Sequence, residues 1–149
     1  MTVWRPPQAI RVKALGLMIE SDHLFAAEVP GDSGALKGVR PLGGSIEFGE
    51  GREEALRREF REELQAEIEF LGPFACLENI YVHEGATGHE IVFVAPIRLI
   101  GRSIPPGAVV EFAEADGTLC RARWHSLDAL RRGEPALYPD GLLDHLRAL

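Results

Sequence analysis

An α/β fold built on a mixed β-sheet, α+β in the wider sense, is what this sequence predicts, on three observations. Short apolar runs bounded by Gly, Pro, Ser and Asp recur along the chain and read as strands. Helical stretches interleave with them without a strict βαβ rhythm, which favours a mixed sheet over a doubly wound parallel one. Residues 50–64, EGREEALRREFREEL, contain no proline, no β-branched residue and one early glycine, so they form a helix of about four turns. At 149 residues, 46% hydrophobic and 26% charged, the chain is expected to make one domain, residues 1–149, whose core needs neither disulfides nor structural metal.

Taken in order, residues 1–8 carry Pro6 and Pro7 and form an irregular lead-in. The apolar runs 10–20 and 23–29 flank Ser21-Asp22 and predict a hairpin. Residues 30–37 are a Gly- and Ser-containing loop, and 43–50 a second, glycine-rich one that leads into the helix. Beyond the helix, 68–70, 75–83 and 90–99 predict strands, with 83–88 turning between the last two. Pro105-Pro106-Gly107 marks a loop, and 109–113 and 120–125 give two further short strands. Ser126 caps a helix over 127–132, and Pro139 opens a last helix running through Leu149.

On the central helix Glu59, Glu62 and Glu63 stand at i, i+3 and i+4 and share one face. Leu56, Phe60 and Leu64 form an apolar stripe that can press the helix onto a core and so fix where the carboxylates point. Carboxylates held together repel unless a cation neutralises them or they take up protons. Mg²⁺ suits such a cluster because it prefers oxygen ligands and keeps waters that substrate phosphates can replace. A charged, solvated helix face is the ordinary meaning of an E/R-rich stretch. The fixed distance to the loop Gly43-Gly44-Ser45-Ile46-Glu47-Phe48-Gly49-Glu50 is what a solvated face does not require. Arg58 can pair with Glu62 or reach back to Glu50 or Glu54, as an internal brace.

From Gly44 to Glu63 the pattern is G-x5-E-x7-R-E-Φ-x-E-E, with Phe60 as the apolar Φ, and it resembles the Nudix box. That box is the signature of hydrolases acting on nucleoside diphosphates linked to another moiety. The resemblance covers residues 44–66 directly. It implies a Nudix-type α/β/α sandwich with a mixed sheet, a loop-helix-loop catalytic motif, and cleavage of a pyrophosphate linkage with Mg²⁺, Mn²⁺ being a possible substitute. It makes Glu59, Glu62 and Glu63 the expected metal ligands, joined by the backbone carbonyl of Gly43. Glu50 matches the earlier acidic position, Arg58 the arginine that orients Glu50 and Glu59, and Gly44 the first box glycine. The chain departs from the pattern at Gln65, where the box has glycine. Glutamine in a left-handed helix end costs roughly 1 kcal/mol, or else the helix runs on. RPLGGSIEFGE at 40–50, Glu78-Asn79-Ile80 and Gly88-His89-Glu90-Ile91 extend the likeness to a set of bacterial Nudix proteins.

The expected reaction is attack of water on one phosphorus of a diphosphate, a carboxylate taking the proton. Family members use either a box glutamate, which here means Glu59 or Glu50, or one from a later loop. Outside the box Glu90 is the first candidate, followed by Glu111, Glu114 and Asp116. Lys37 and Arg40, just before the box, and Gly44 within it are the candidate substrate contacts. Solvent-facing or structural roles stand as the alternative for Glu90, Lys37, Arg40 and His89. The family's ADP-ribose preference goes with a proline about fifteen or sixteen residues after the box, where this chain has Tyr81 and Val82.

The net charge of −7 works against long nucleic acid, whose binding rests on phosphate neutralisation by Lys and Arg. Residues 44–66 hold seven Glu and four Arg, thus −3 of that charge, so a polyphosphate needs a cation to bridge it to this segment. The expected partner is a small nucleotide-derived diphosphate. No apolar run reaches membrane-spanning length and no secretory signal is visible, so no membrane is expected and the default address is the cytoplasm. Cys76 and Cys120 lie far apart without metal-ligand spacing and read as buried small hydrophobes. Two other readings stand beside the hydrolase: a Nudix-fold sensor that binds nucleotide without turnover, and an RNA 5′-end pyrophosphohydrolase. A homodimer is expected by resemblance.

Overall fold

The computed structural model describes residues 3–114 and 116–147. Its strands are β1 (Ile10–Leu17), β2 (Ile19–Glu20), β3 (His23–Pro30), β4 (Leu36–Ser45), β5 (Glu67–Phe70), β6 (Ala75–His83), β7 (Ala86–Ile100), β8 (Val110–Ala113) and β9 (Leu119–Ser126). Three helices accompany them: α1 (Arg52–Leu64), α2 (Leu127–Arg131) and α3 (Leu142–Arg147). Strand order is β5-β7-β1-β4-β3-β9-β8, with β2 added to β3 and β6 to β7. The sheet is mixed, as expected: β1 runs parallel to β7 and antiparallel to β4.

Two apolar clusters lie on opposite faces of this sheet. Leu56, Phe60 and Leu64 of α1 pack with Ala14, Phe25, Leu42, Ile68, Ile97 and Phe112. The three α1 side chains are fully buried, each contributing about 1.5–3 kcal/mol through area removed from water. On the other face Leu127, Leu130, Leu142 and Leu146 of α2 and α3 cover Leu15, Leu17, Leu24, Val39, Val92 and Val94. Helices on both faces make the sandwich. No helix among the described residues is long and apolar enough to cross a membrane.

Several elements differ from the sequence reading. The run 10–20 does not form one hairpin with 23–29; only β2 does, through Ser21 and Asp22, both at positive φ. Residues 14–17 are buried on both faces, the mark of a central strand that needs two neighbours where a hairpin supplies one. The strand β4 takes in residues 36–37 and 43–45 of the two expected loops and the stretch 38–42 between them, to which the sequence reading gave no element. The turn after β6 is confined to Glu84-Gly85, so β7 begins earlier than expected. The last helix begins at Leu142 instead of Pro139, because Gly141 at φ +90° cannot join it; its expected end, Ala148 and Leu149, and Met1 and Thr2 of the lead-in lie outside the described residues. Cys76 is exposed and Cys120 half-buried, so neither is the buried hydrophobe expected.

The helix α1 starts two residues later than expected, behind an extended Gly51, which leaves Glu50 in the loop. At its other end Gln65 takes the left-handed conformation at φ 50°, ψ 43° and stops the helix where glycine would. Its amide donates to Arg61 O at 3.0 Å and its Nε2 to Glu62 O at 2.9 Å, so the side chain itself caps the last turn. A β-branched residue tolerates this backbone worse and cannot make the cap. Gln65→Val is therefore expected to lose about 1–2 kcal/mol in denaturant unfolding; an unchanged midpoint would show that the turn carries no strain.

Candidate functional site

The carboxylate cluster forms where the end of β4 meets α1. Gly43 sits at φ +147°, and a Cβ there would fall 2.0 Å from the Ala14 carbonyl oxygen. A Cβ on Gly44 would fall 2.5 Å from the Glu59 carboxylate. Gly43 therefore needs glycine against the β1 backbone, while at Gly44 a side chain would displace the Glu59 carboxylate that the bare backbone lets in.

Arg58 ties the loop to the helix. Its Nε and Nη2 donate to the two oxygens of Glu50 at 2.7 and 2.9 Å, and Nη2 also to Ser45 O at 3.0 Å. Its Nη1 donates to Glu59 Oε1 at 2.9 Å and reaches Glu62 Oε2 at 3.5 Å. The guanidinium holds Glu50 below the usual carboxylate range, and Glu50 and Glu59 in turn raise Arg58. Of the alternatives open in the sequence, Glu50 and Glu62 are its partners, with Glu59 added.

Glu63 has only 6% of its surface exposed, and its Oε2 has no hydrogen-bond partner. Burial, with the charge of Glu59 second, pushes its pKa up to about 9, while Arg40 acts in the opposite sense. Glu59 and Glu63 are thus brought together, and Glu62 stands at the rim with a side chain 54% exposed. Arg40 pairs with Glu114 at 2.6 Å. The Cys120 thiol donates to the same Glu114 oxygen, and burial followed by that carboxylate pushes it up to about 12.

The other candidates lie elsewhere. Lys37 donates to His83 Nδ1 at 3.1 Å. There Asp32, His83 and Glu84 bring three ligand-type side chains together. Arg5 already pairs with both oxygens of Asp32, at 2.9 and 2.7 Å, so Arg5 and Lys37 supply the counter-charge a cation would. Glu90 is buried on β7 and accepts from Arg11 at 2.6 Å and Tyr81 at 3.3 Å, with Lys13 Nζ at 3.4 Å. His89 lies 3.3 Å from Glu78, Glu111 is on β8, and Asp116 accepts from Thr118 N within a turn. Sequence reasoning passed over Arg11 and Lys13; their signal was two cations at alternate places in the otherwise apolar run IRVKALGL.

A model of the NUDIX domain matches residues 11–145. The E. coli ORF135 protein is similar in structure, with a TM-score of 0.58 at 19% identity over 94% of this chain and 90% of that one. A NUDIX hydrolase from Nitrosomonas europaea gives 0.58 at 19% identity, over 93% and 87%. A NUDIX-family hydrolase from Clostridium perfringens gives 0.53 at 16% identity, over 93% and 95%. These likenesses speak for the fold. No curated protein matches the chain.

Proposed function

Since this chain belongs to the Nudix hydrolase family, as the match over residues 11–145 shows, we propose that it is a Mg²⁺-dependent pyrophosphohydrolase. Its substrate is a small nucleoside-diphosphate derivative, and Mn²⁺ substitutes for Mg²⁺. The observation that carries this reading is Glu63: a buried carboxylate with an orphaned oxygen, beside Glu59, whose own carboxylate lies against the bare backbone of Gly44. Such a group calls for a proton or a cation, and the all-oxygen donor set fits a hard divalent ion.

Glu59, Glu62 and Glu63, with the carbonyl of Gly43, would hold the cation. When bound it supplies polarisation of phosphoryl oxygens and a lowered pKa for water. Arg58 keeps Glu59 and Glu50 in fixed orientation through the bonds described above. Glu63 must shed its proton to serve as a ligand. Arg58 engages only Oε1 of Glu59, which leaves its Oε2 for the cation, and a further carboxylate takes the proton from the attacking water in this reading. Glu50 has both oxygens on Arg58 and acts as a brace. Arg40, whose charge acts on Glu63, and Gly44 would be the contacts to a substrate phosphate in this reading.

A sensor without turnover would tolerate a degenerate carboxylate set, whereas here all positions are filled. An RNA 5′-end pyrophosphohydrolase would want a basic groove, against a net charge of −7. The test is phosphate release from ADP-ribose, NADH, diadenosine polyphosphates, nucleotide sugars and nucleoside triphosphates, with and without Mg²⁺. Turnover of at least one, dependent on the metal, is the expected result; binding without turnover across the panel would favour the sensor. Dimerisation is part of the same proposal, and sizing at low micromolar concentration that gives only a 16.4 kDa species would remove it.

A further inference from the structure

The helix α1 covers only part of the sheet face on which it lies. Along β1 the side chains on that face pass from Ala14, fully buried, to Val12 and then Ile10, which is 61% exposed. The pairing register sets His89 and Ile91 of β7 beside Ile10 and Val12, and Ile80 and Val82 of β6 beside His89 and Thr87. Ile80 and Val82 are 60% and 65% exposed. Charge is as sparse here as in the core of an interface. Among the described β1, β6 and β7 positions on this part of the face, Glu78, 3.3 Å from His89, is the one carboxylate, and no Lys or Arg joins it, in a chain that is 26% charged.

Two features of the same face complement each other. A hollow of about 340 Å³, lined by Pro7, Gln8, Ala9, Ile10, Thr87 and His89, opens beside the apolar strip. The loop from β4 to α1 climbs onto this face, since Ile46 N donates to Val12 O at 2.9 Å and the Ile46 side chain packs with the α1-side cluster. In its turn Phe48 is fully exposed. A phenylalanine left in water forgoes about 1.5–3 kcal/mol of burial.

We propose that this uncovered part of the face is where two copies of the chain close on each other about a two-fold axis, Phe48 of each entering the hollow of the other. A two-fold contact uses the same patch twice, so the patch must carry both a knob and its receptacle, and this one does. The area agrees. Phe48, Ile10, Val12, Ile80 and Val82 together offer on the order of 600 Å², most of the roughly 800 Å² that each partner gives to a standard interface. Contiguous apolar patches beyond a few hundred Å² mark interaction sites. The inference rests on the dimerisation proposed above and is independent of the hydrolase activity.

Sedimentation velocity of the full chain, from low to high micromolar concentration, is the test. The wild type should reach twice 16.4 kDa at the upper end. Phe48→Asp removes the knob and Thr87→Arg fills the hollow, both at exposed positions, and each should weaken dimerisation at least tenfold. Leu119→Lys, an exposed apolar residue at the opposite edge of the sheet, should leave it unchanged within twofold. A wild type that stays at 16.4 kDa throughout would overturn the proposal together with the dimer, and leave the face to a different protein. A dimer that survives both Phe48→Asp and Thr87→Arg, with native circular dichroism spectra, would overturn this interface while dimerisation itself stood. Equal weakening in Leu119→Lys would overturn it too, since loss of any exposed apolar group would then suffice. The hydrolase reading is decided apart from these outcomes, by turnover in the substrate panel.

Discussion

Glu63→Gln is expected to lower Mg²⁺-dependent turnover by at least about 100-fold, equivalent to roughly 3 kcal/mol of transition-state stabilisation. The amide keeps the volume and polarity of the buried carboxyl and removes the charge that a cation requires. Full metal-dependent activity in the variant would refute the placement of the ion. The same substitution has a signature without metal. In the folded chain the Glu63 pKa is pushed up to about 9, and in the unfolded chain it returns to the ordinary carboxylate range. Between those values the native state binds one more proton than the unfolded state. The stability this contributes is complete below the unfolded pKa and is lost as pH rises through about 9. Thermal melts in EDTA should therefore decline more steeply with rising pH for the wild type than for Glu63→Gln. Over the same window apparent Mg²⁺ affinity of the wild type should rise, by up to about tenfold per pH unit, because each ion displaces the Glu63 proton.

Gly43→Ala is expected to be the most damaging of the glycine-to-alanine changes. Its methyl group would be placed 2.0 Å from the Ala14 oxygen and 2.8 Å from the Leu15 Cα, both backbone atoms of the paired strand β1. No rotamer relieves a backbone clash, so either β1 and β4 part at the Leu15–Gly43 pair or the φ of +147° changes. We expect a loss of about 3 kcal/mol or more in denaturant unfolding, or failure to accumulate folded protein. Gly85→Ala is the control: its φ is also positive, +82°, but nothing lies within 4 Å of the added carbon, and about 1 kcal/mol is expected. Equal midpoints for the two variants would show that strain, and not steric closeness, governs both.

The central helix was legible because its signals agree: strong formers, an apolar stripe at helical spacing and a charged face. The strand β4 was not, although it lies in the middle of the sheet. Its sequence, LKGVRPLGGS, holds three glycines and a proline, residues that local propensity assigns to turns. They are there because the strand must let Gly38 pass Tyr138, Gly43 pass β1 and Gly44 pass Glu59, and only the assembled fold reveals those approaches. The carboxylate cluster could be read from spacing, since helical geometry converts spacing into proximity. The contacts of Glu90 with Arg11 and Tyr81 could not, since they join residues from separate strands whose register no local pattern dictates. Likewise Glu114 earned its place beside Glu63 only through Arg40, a partner 74 residues away.

The five contacts that fan out from Arg58 bear on how tightly a ligand can be held. Three of them fasten Ser45 and Glu50, and two hold Glu59 and Glu62, before anything arrives. Conformational freedom there is surrendered when the chain folds and need not be surrendered again on association. Affinity at this mouth is thus governed by charge and dehydration, with little penalty for closing a mobile flap.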